Sequence, residues 1–174
     1  MFEELSLHIL DVAMNSLAAG ARVIRIVVHE NEAKDELLIQ IQDDGCGMDE
    51  ATLQKVLSRS TSTKASRKKP IGLGIALLGQ TAEMCDGTFL VESKPGHGTT
   101  VTATMRLSHV DLPPLGNLSA TVLALCAAAP RVDVRLSCRN NRESFEFSSQ
   151  ELQSEKLVTT GRATSRGEVS TAAR

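Results

Sequence analysis

Apolar residues recur at helical spacing near the start of the chain. Leu5, Ile9, Val12 and Ser16 fall on one face and Gly20 ends the run, so the pattern predicts a helix over 3–19. The period then changes. Val23-Ile24-Arg25-Ile26-Val27-Val28 is β-branched and reads as a strand, and a polar turn at 31–35 separates it from a second strand over 36–42. Asp49-Glu50 opens a short helix to about Ser58, acids first, as the helix dipole favours. A third helix is expected from Gly72 to about Asp86, with Gly87 as its stop. Strands over 88–93 and 100–107 flank a tight turn at Lys94-Pro95-Gly96-His97-Gly98. The order α-β-β-α-loop-α-β-β predicts an α+β fold. It is a two-layer sandwich, a mixed and mainly antiparallel sheet with helices on one face.

After residue 108 the pattern shifts. Residues 109–116, with Pro113-Pro114-Leu115-Gly116, read as a linker. Asn117 can cap a helix that Pro130 stops, and the runs 132–138 and 143–147 flank a polar turn. Residues 117–152 are thus expected to form a small α-β-β appendage, a partner contact or simply a packing element. The polar, aperiodic stretch 153–174 is expected to be a disordered tail.

A chain of 174 residues suits one compact domain with a small addition. Aromatics make up only 2%, so the core must be aliphatic and base-stacking nucleic-acid platforms are not expected. A net charge of −2 gives no global basic field for DNA or RNA. No run reaches the ~18 apolar residues of a membrane span, and nothing reads as a signal peptide. Cys46, Cys85, Cys126 and Cys138 form no Cys-x-x-Cys pair, which fits a reduced, cytoplasmic setting. Cys46 is expected to be a buried, inert thiol.

Four places can carry chemistry. Asp11 and Asn15 are four apart on the first helix and share a face, a carboxylate beside a carboxamide of the kind that suits Mg²⁺; read alone, the helix more often has simply a polar surface face there. Asp43-Asp44-Gly45-Cys46-Gly47-Met48 follows an apolar strand, where an acid can meet a ligand and glycines let a flat ring approach; alone, such a run is more often an ordinary turn. Gly72-Leu73-Gly74 opens a helix, whose free N–H groups favour phosphate. Gly96-His97-Gly98-Thr99 is a turn able to present a hydroxyl. Between the second and third helices, residues 58–71 hold Arg59, Lys64, Arg67, Lys68 and Lys69 among Ser and Thr, a cationic loop or a solvated linker. No Gly-x-x-x-x-Gly-Lys-Ser/Thr loop occurs, and Leu77 stands where a dinucleotide fingerprint wants its third Gly.

In this order, Asn15-Ser16-Leu17-Ala18-Ala19-Gly20-Ala21, Asp43–Met48, Gly72-Leu73-Gly74-Ile75 and Gly96–Thr99 resemble the Asn box and glycine boxes of the GHKL ATPases. That superfamily includes DNA gyrase, the heat-shock chaperone, histidine kinases and mismatch-repair ATPases. The resemblance implies a Bergerat-type ATP-binding fold over 1–108, with 58–71 as the ATP lid. It implies ATP and Mg²⁺ as ligands. Asn15 corresponds to the Mg²⁺-coordinating Asn and Asp11 to the general base. Asp43 corresponds to the acid that accepts from the adenine amino group, above a floor shaped by Gly45, Gly47 and Met48. Gly72, Leu73 and Gly74 would face the phosphates, Thr99 would lie near the adenine, and Thr63-Lys64 would place Lys64 at the terminal phosphate.

The chain looks most like small stand-alone histidine-kinase-type ATP-binding proteins of bacteria, through Leu5–Asp11 and Pro113–Gly116. A helical dimerisation domain before Met1 is not expected, and any phosphoacceptor is expected on a partner protein; a homodimer is also allowed. His8 reads as a packed histidine or a neighbour of the site. Two functions follow from the resemblance: an ATPase or protein kinase, or an ATP-gated protein-binding switch akin to an anti-sigma factor. Asp11 is one methylene shorter than the Glu usual at the base position, Ala18 replaces an acid of mismatch-repair relatives, and the lid lacks the Phe common in histidine kinases.

Overall fold

The computed structural model describes residues 4–60 and 73–151. The elements are α1 (Leu5–Ala18), β1 (Val23–Asn31), β2 (Glu36–Asp43), α2 (Glu50–Ser60), α3 (Leu73–Met84), β3 (Phe89–Ser93), β4 (Thr99–Arg106), α4 (Leu118–Ala128), β5 (Asp133–Arg139) and β6 (Ser144–Ser148). The strands form one sheet in the order β3-β4-β2-β1-β5-β6, and every pairing is antiparallel except β1 with β5.

Alternation along the strands sorts the two faces of the sheet. Ile24, Ile26 and Val28 of β1, Leu37, Ile39 and Ile41 of β2, and Val101, Ala103 and Met105 of β4 are buried. They meet Leu5, Ile9, Val12 and Ala13 of α1 and Ile75, Leu78 and Ala82 of α3 in one aliphatic core. Each of the Val, Leu, Ile and Met side chains among them contributes about 1.5–3 kcal/mol on burial. The intervening positions, such as Arg25, Gln40, Gln42, Thr100 and Thr102, are polar and form the other face.

The predicted helix stops hold with one correction. Gly20 ends α1 with a left-handed φ of +74°, its N–H donating to Leu17 O. At the end of α3 the left-handed residue is Asp86 (φ +56°), and not Gly87. Gly87 is needed for another reason: a Cβ there would collide with Thr104 O of the neighbouring strand. Asp tolerates the left-handed region better than most residues.

The segment expected as an α-β-β appendage is an α-β-β unit, and it attaches by continuing the sheet. Asn117 caps α4, its Oδ1 accepting from Ala120 N–H at 2.9 Å. β5 then runs parallel to β1 with Ile24 opposite Val134, and Val134 and Leu136 add to the core. The linker before α4 is used as well. Pro114 O and Leu115 O accept from Leu5 N–H and Ser6 N–H, two donors that the first turn of α1 leaves free. The expected tail, 153–174, lies outside the described residues.

Candidate functional site

Asp43 closes β2 and stands opposite Ile24 of β1 and Thr99 of β4. Three donors converge on its carboxylate. Gly45 N–H and Thr99 N–H donate to Oδ1 at 2.9 and 3.2 Å, and the Ser16 hydroxyl donates to Oδ2 at 2.6 Å. A carboxylate offers about four acceptor positions. Three are taken, and the fourth lies on Oδ2 of a half-buried side chain.

The loop after Asp43 is braced on both sides. Cys46 N–H donates to Ala19 O at the end of α1, and Gly96 N–H donates to Cys46 O from the turn between β3 and β4. Glycine is required where the two turns meet. Gly47 (φ +66°) approaches Lys94 O and Gly98 (φ +78°) approaches Asp43 O so closely that a Cβ at either would collide. Ser93 fastens the same corner: its Oγ accepts from Met48 N–H at 2.8 Å and lies 2.9 Å from Thr99 Oγ1. Met48 packs against the core beneath the loop.

Asp44 does different work from Asp43. Its Oδ1 accepts from Arg22 N–H at 2.7 Å and Val23 N–H at 2.8 Å, tying the loop to the start of β1. Burial alone would push its carboxyl up, but the backbone donors of Val23 and Arg22 outweigh this and hold it below the usual carboxylate range. Its role is structural, holding the loop to the start of β1.

α1 contributes an exposed Asp11 and a half-buried Asn15 one turn apart. The start of α3 crosses at Asp11, where a Cβ on Gly74 would collide with Asp11 Cβ. The structure therefore brings Asp11 to Gly74 at the start of α3, and Asp43, Gly45, Gly47, Met48 and Thr99 into one braced cluster that α1 adjoins through Ser16 and Ala19. Leu73 is the first residue of α3. Thr63, Lys64 and Gly72 lie outside the described residues, as does all of the expected lid beyond Ser60.

A family profile described as "Histidine kinase-, DNA gyrase B-, and HSP90-like ATPase" matches residues 1–109. The chain belongs to this ATPase family. It is similar to the virulence sensor protein BvgS of Bordetella bronchiseptica, 24% identical over 71% of this chain and 10% of that protein. It is also similar to the sensor histidine kinase CitA of Klebsiella pneumoniae, 32% identical over 55% of this chain and 17% of that one. The histidine protein kinase SaeS of Staphylococcus epidermidis is 28% identical over 60% of this chain and 30% of its own length. The chain thus spans less than a third of each relative. As a member of the family it carries an ATP-binding, histidine-kinase-like domain. No helix among the described residues is long and apolar enough to cross a membrane.

Two site residues escape sequence reasoning. Ser16 reads only as part of the buried stripe of α1; a hydroxyl on an apolar stripe, which must find a partner when buried, was the available signal. Ser93 is an unremarkable strand end, and only the fold places it under Met48 and Thr99. One expectation is overturned. Cys46 is exposed and not buried, because its backbone is engaged on both sides and its side chain is turned away from the core. His8 is packed, only 5% exposed.

Proposed function

We propose that the protein binds Mg-ATP at the Asp43 cluster and either hydrolyses it or passes its terminal phosphoryl group to a partner protein. The observation that carries this reading is the Asp43 carboxylate, oriented by three donors with one acceptor position left for a base amino group. Gly45, Gly47 and Met48 form the floor under the ring, and Thr99 and Ser93 hold its edge. Asn15 is the protein ligand for Mg²⁺. A carboxamide oxygen, with phosphate oxygens and water, is the hard-oxygen donor set that Mg²⁺ takes. The family resemblance assigns phosphate to Gly72, Leu73 and Gly74 and its far end to Thr63 and Lys64; of these, Leu73 and Gly74 lie among the described residues, at the start of α3.

When bound, Mg²⁺ supplies charge neutralisation on the phosphates. The chain's own residues position and deprotonate: Asp11 takes the proton of the attacking group. The phosphoacceptor belongs to the partner, and 1–108 serve as the nucleotide domain. The test is turnover of ATP by the wild-type chain, with and without candidate acceptors, beside a variant at Asp11.

A second reading is an ATP-gated binding switch with little turnover. The side chain of Asp11, one methylene shorter than the Glu usual at the base position, favours it.

A further inference from the structure

Ser16 poses a physical problem that the ATP-site reading leaves unused. It is 3% exposed and lies on the same stripe of α1 as Leu5, Ile9 and Val12. A hydroxyl there must spend its proton on some acceptor. The helical alternative, Val12 O one turn back, is 3.5 Å away. Asp43 Oδ2, across the helix-to-sheet boundary, is 2.6 Å away. The proton therefore goes to Asp43, at a distance typical of strong hydroxyl-to-carboxylate bonds.

The consequence lies in which oxygen is engaged. Oδ1 is pinned by Gly45 N–H and Thr99 N–H, both backbone groups fixed by the loop and by β4. Rotation about the Cβ–Cγ axis swings both oxygens, so these two bonds already resist it. The Ser16 bond to Oδ2, from a buried residue, adds a third restraint on the other oxygen. It also occupies one of the two acceptor positions on Oδ2 and so leaves a single direction in which a ligand N–H can approach.

We infer that Ser16 is a positioning residue for nucleotide selection: it aims the free acceptor position of Asp43 so that the site distinguishes a purine bearing an exocyclic amino group from one without it. The inference rests on the reading of Asp43 as the base-recognising acid. Ser16 touches no ligand and acts through Asp43. Removing its hydroxyl weakens binding of an amino-bearing base and leaves binding through the phosphates and the ring face unchanged.

The experiment is a chemical double-mutant cycle. Affinities of the full chain for Mg-ATP and for purine riboside triphosphate, which lacks the amino group, are measured for wild type, Ser16→Ala, Ser16→Thr and Asp43→Ala. Wild type prefers ATP. Ser16→Ala lowers ATP affinity about tenfold, the scale of one charge-assisted hydrogen bond, with the analogue unaffected. Ser16→Thr, which keeps the hydroxyl, restores the preference. A Ser16→Ala protein that retains the full preference for ATP, or that loses both nucleotides equally, overturns the role of Ser16. A wild-type protein without preference, matched by Asp43→Ala, overturns the reading of Asp43 itself. Thermal melting of the nucleotide-free Ser16→Ala protein separates either result from misfolding.

Discussion

Gly74 packs its bare Cα against Asp11 so closely that even a methyl group would strike Asp11 Cβ. The first turn of α3 is thereby held against the face of α1 that carries Asp11 and Asn15. Under the proposed function, the start of α3 receives phosphate and Asn15 holds the metal, and this short approach lets both reach one ligand.

Gly74→Ala is therefore expected to push α3 away from α1. Overpacking of this kind costs about 1–3 kcal/mol. The variant should stay folded, with a lowered melting temperature and a larger loss in Mg-ATP affinity than stability alone accounts for. Far-UV circular dichroism beside a binding titration checks this.

Asp43 and Asp44 are adjacent in sequence and are expected to fail differently. Asp44→Ala removes the acceptor of two backbone N–H groups and should lower stability by about 1 kcal/mol or more, with nucleotide affinity reduced secondarily. Denaturant unfolding of the nucleotide-free variant measures it.

The contrast between these two acids shows what was legible in the sequence. Asp43-Asp44-Gly45-Cys46-Gly47-Met48 reads alone as a turn after an apolar strand, and as a ligand loop only in company with Asn15, Gly72-Leu73-Gly74 and Gly98-Thr99. The partners of each acid are not local. Ser16 lies 27 residues from Asp43, and Val23 lies 21 from Asp44. Their pairing follows from where α1 lands on the sheet. The same holds for the C-terminal α-β-β unit. Its helix, cap and hairpin are written in Asn117, Pro130 and the apolar runs, but its attachment along β1 depends on a parallel pairing that no turn residue encodes. Gly87 is the converse case: the glycine is visible, and the reason for it, Thr104 O, is on another strand.

Acid stability should report on Asp133, which is 1% exposed at the start of β5. Burial pushes its carboxyl up. Arg135 at 2.6 Å and the Ser148 hydroxyl at 3.0 Å outweigh this, with Gln150 N–H adding to them, and the carboxyl is held below its ordinary 3.8. A carboxyl lowered by folding contributes stability above its unfolded value and loses it as pH falls through the folded one. The wild-type melting temperature should therefore fall on acidification below about pH 4. Asp133→Asn should be less stable near neutrality and show a shallower acid decline. Melting curves across pH for both proteins test the pair.

Asp11→Asn separates the two functional readings. Under the enzyme reading it abolishes turnover and spares Mg-ATP binding, since the amide keeps the shape of the side chain but cannot take a proton. Single-turnover ATP hydrolysis and equilibrium binding on the same preparation distinguish this from a switch, for which wild type and variant behave alike.

The central claim is that Asp43 anchors a nucleotide base, and isothermal titration of Mg-ATP into the wild-type and Asp43→Ala chains tests it most directly. The expected result is saturable one-to-one binding by wild type and a loss of at least tenfold in the variant, the scale of a charge-assisted hydrogen bond. Equal affinity in the two proteins contradicts the assignment.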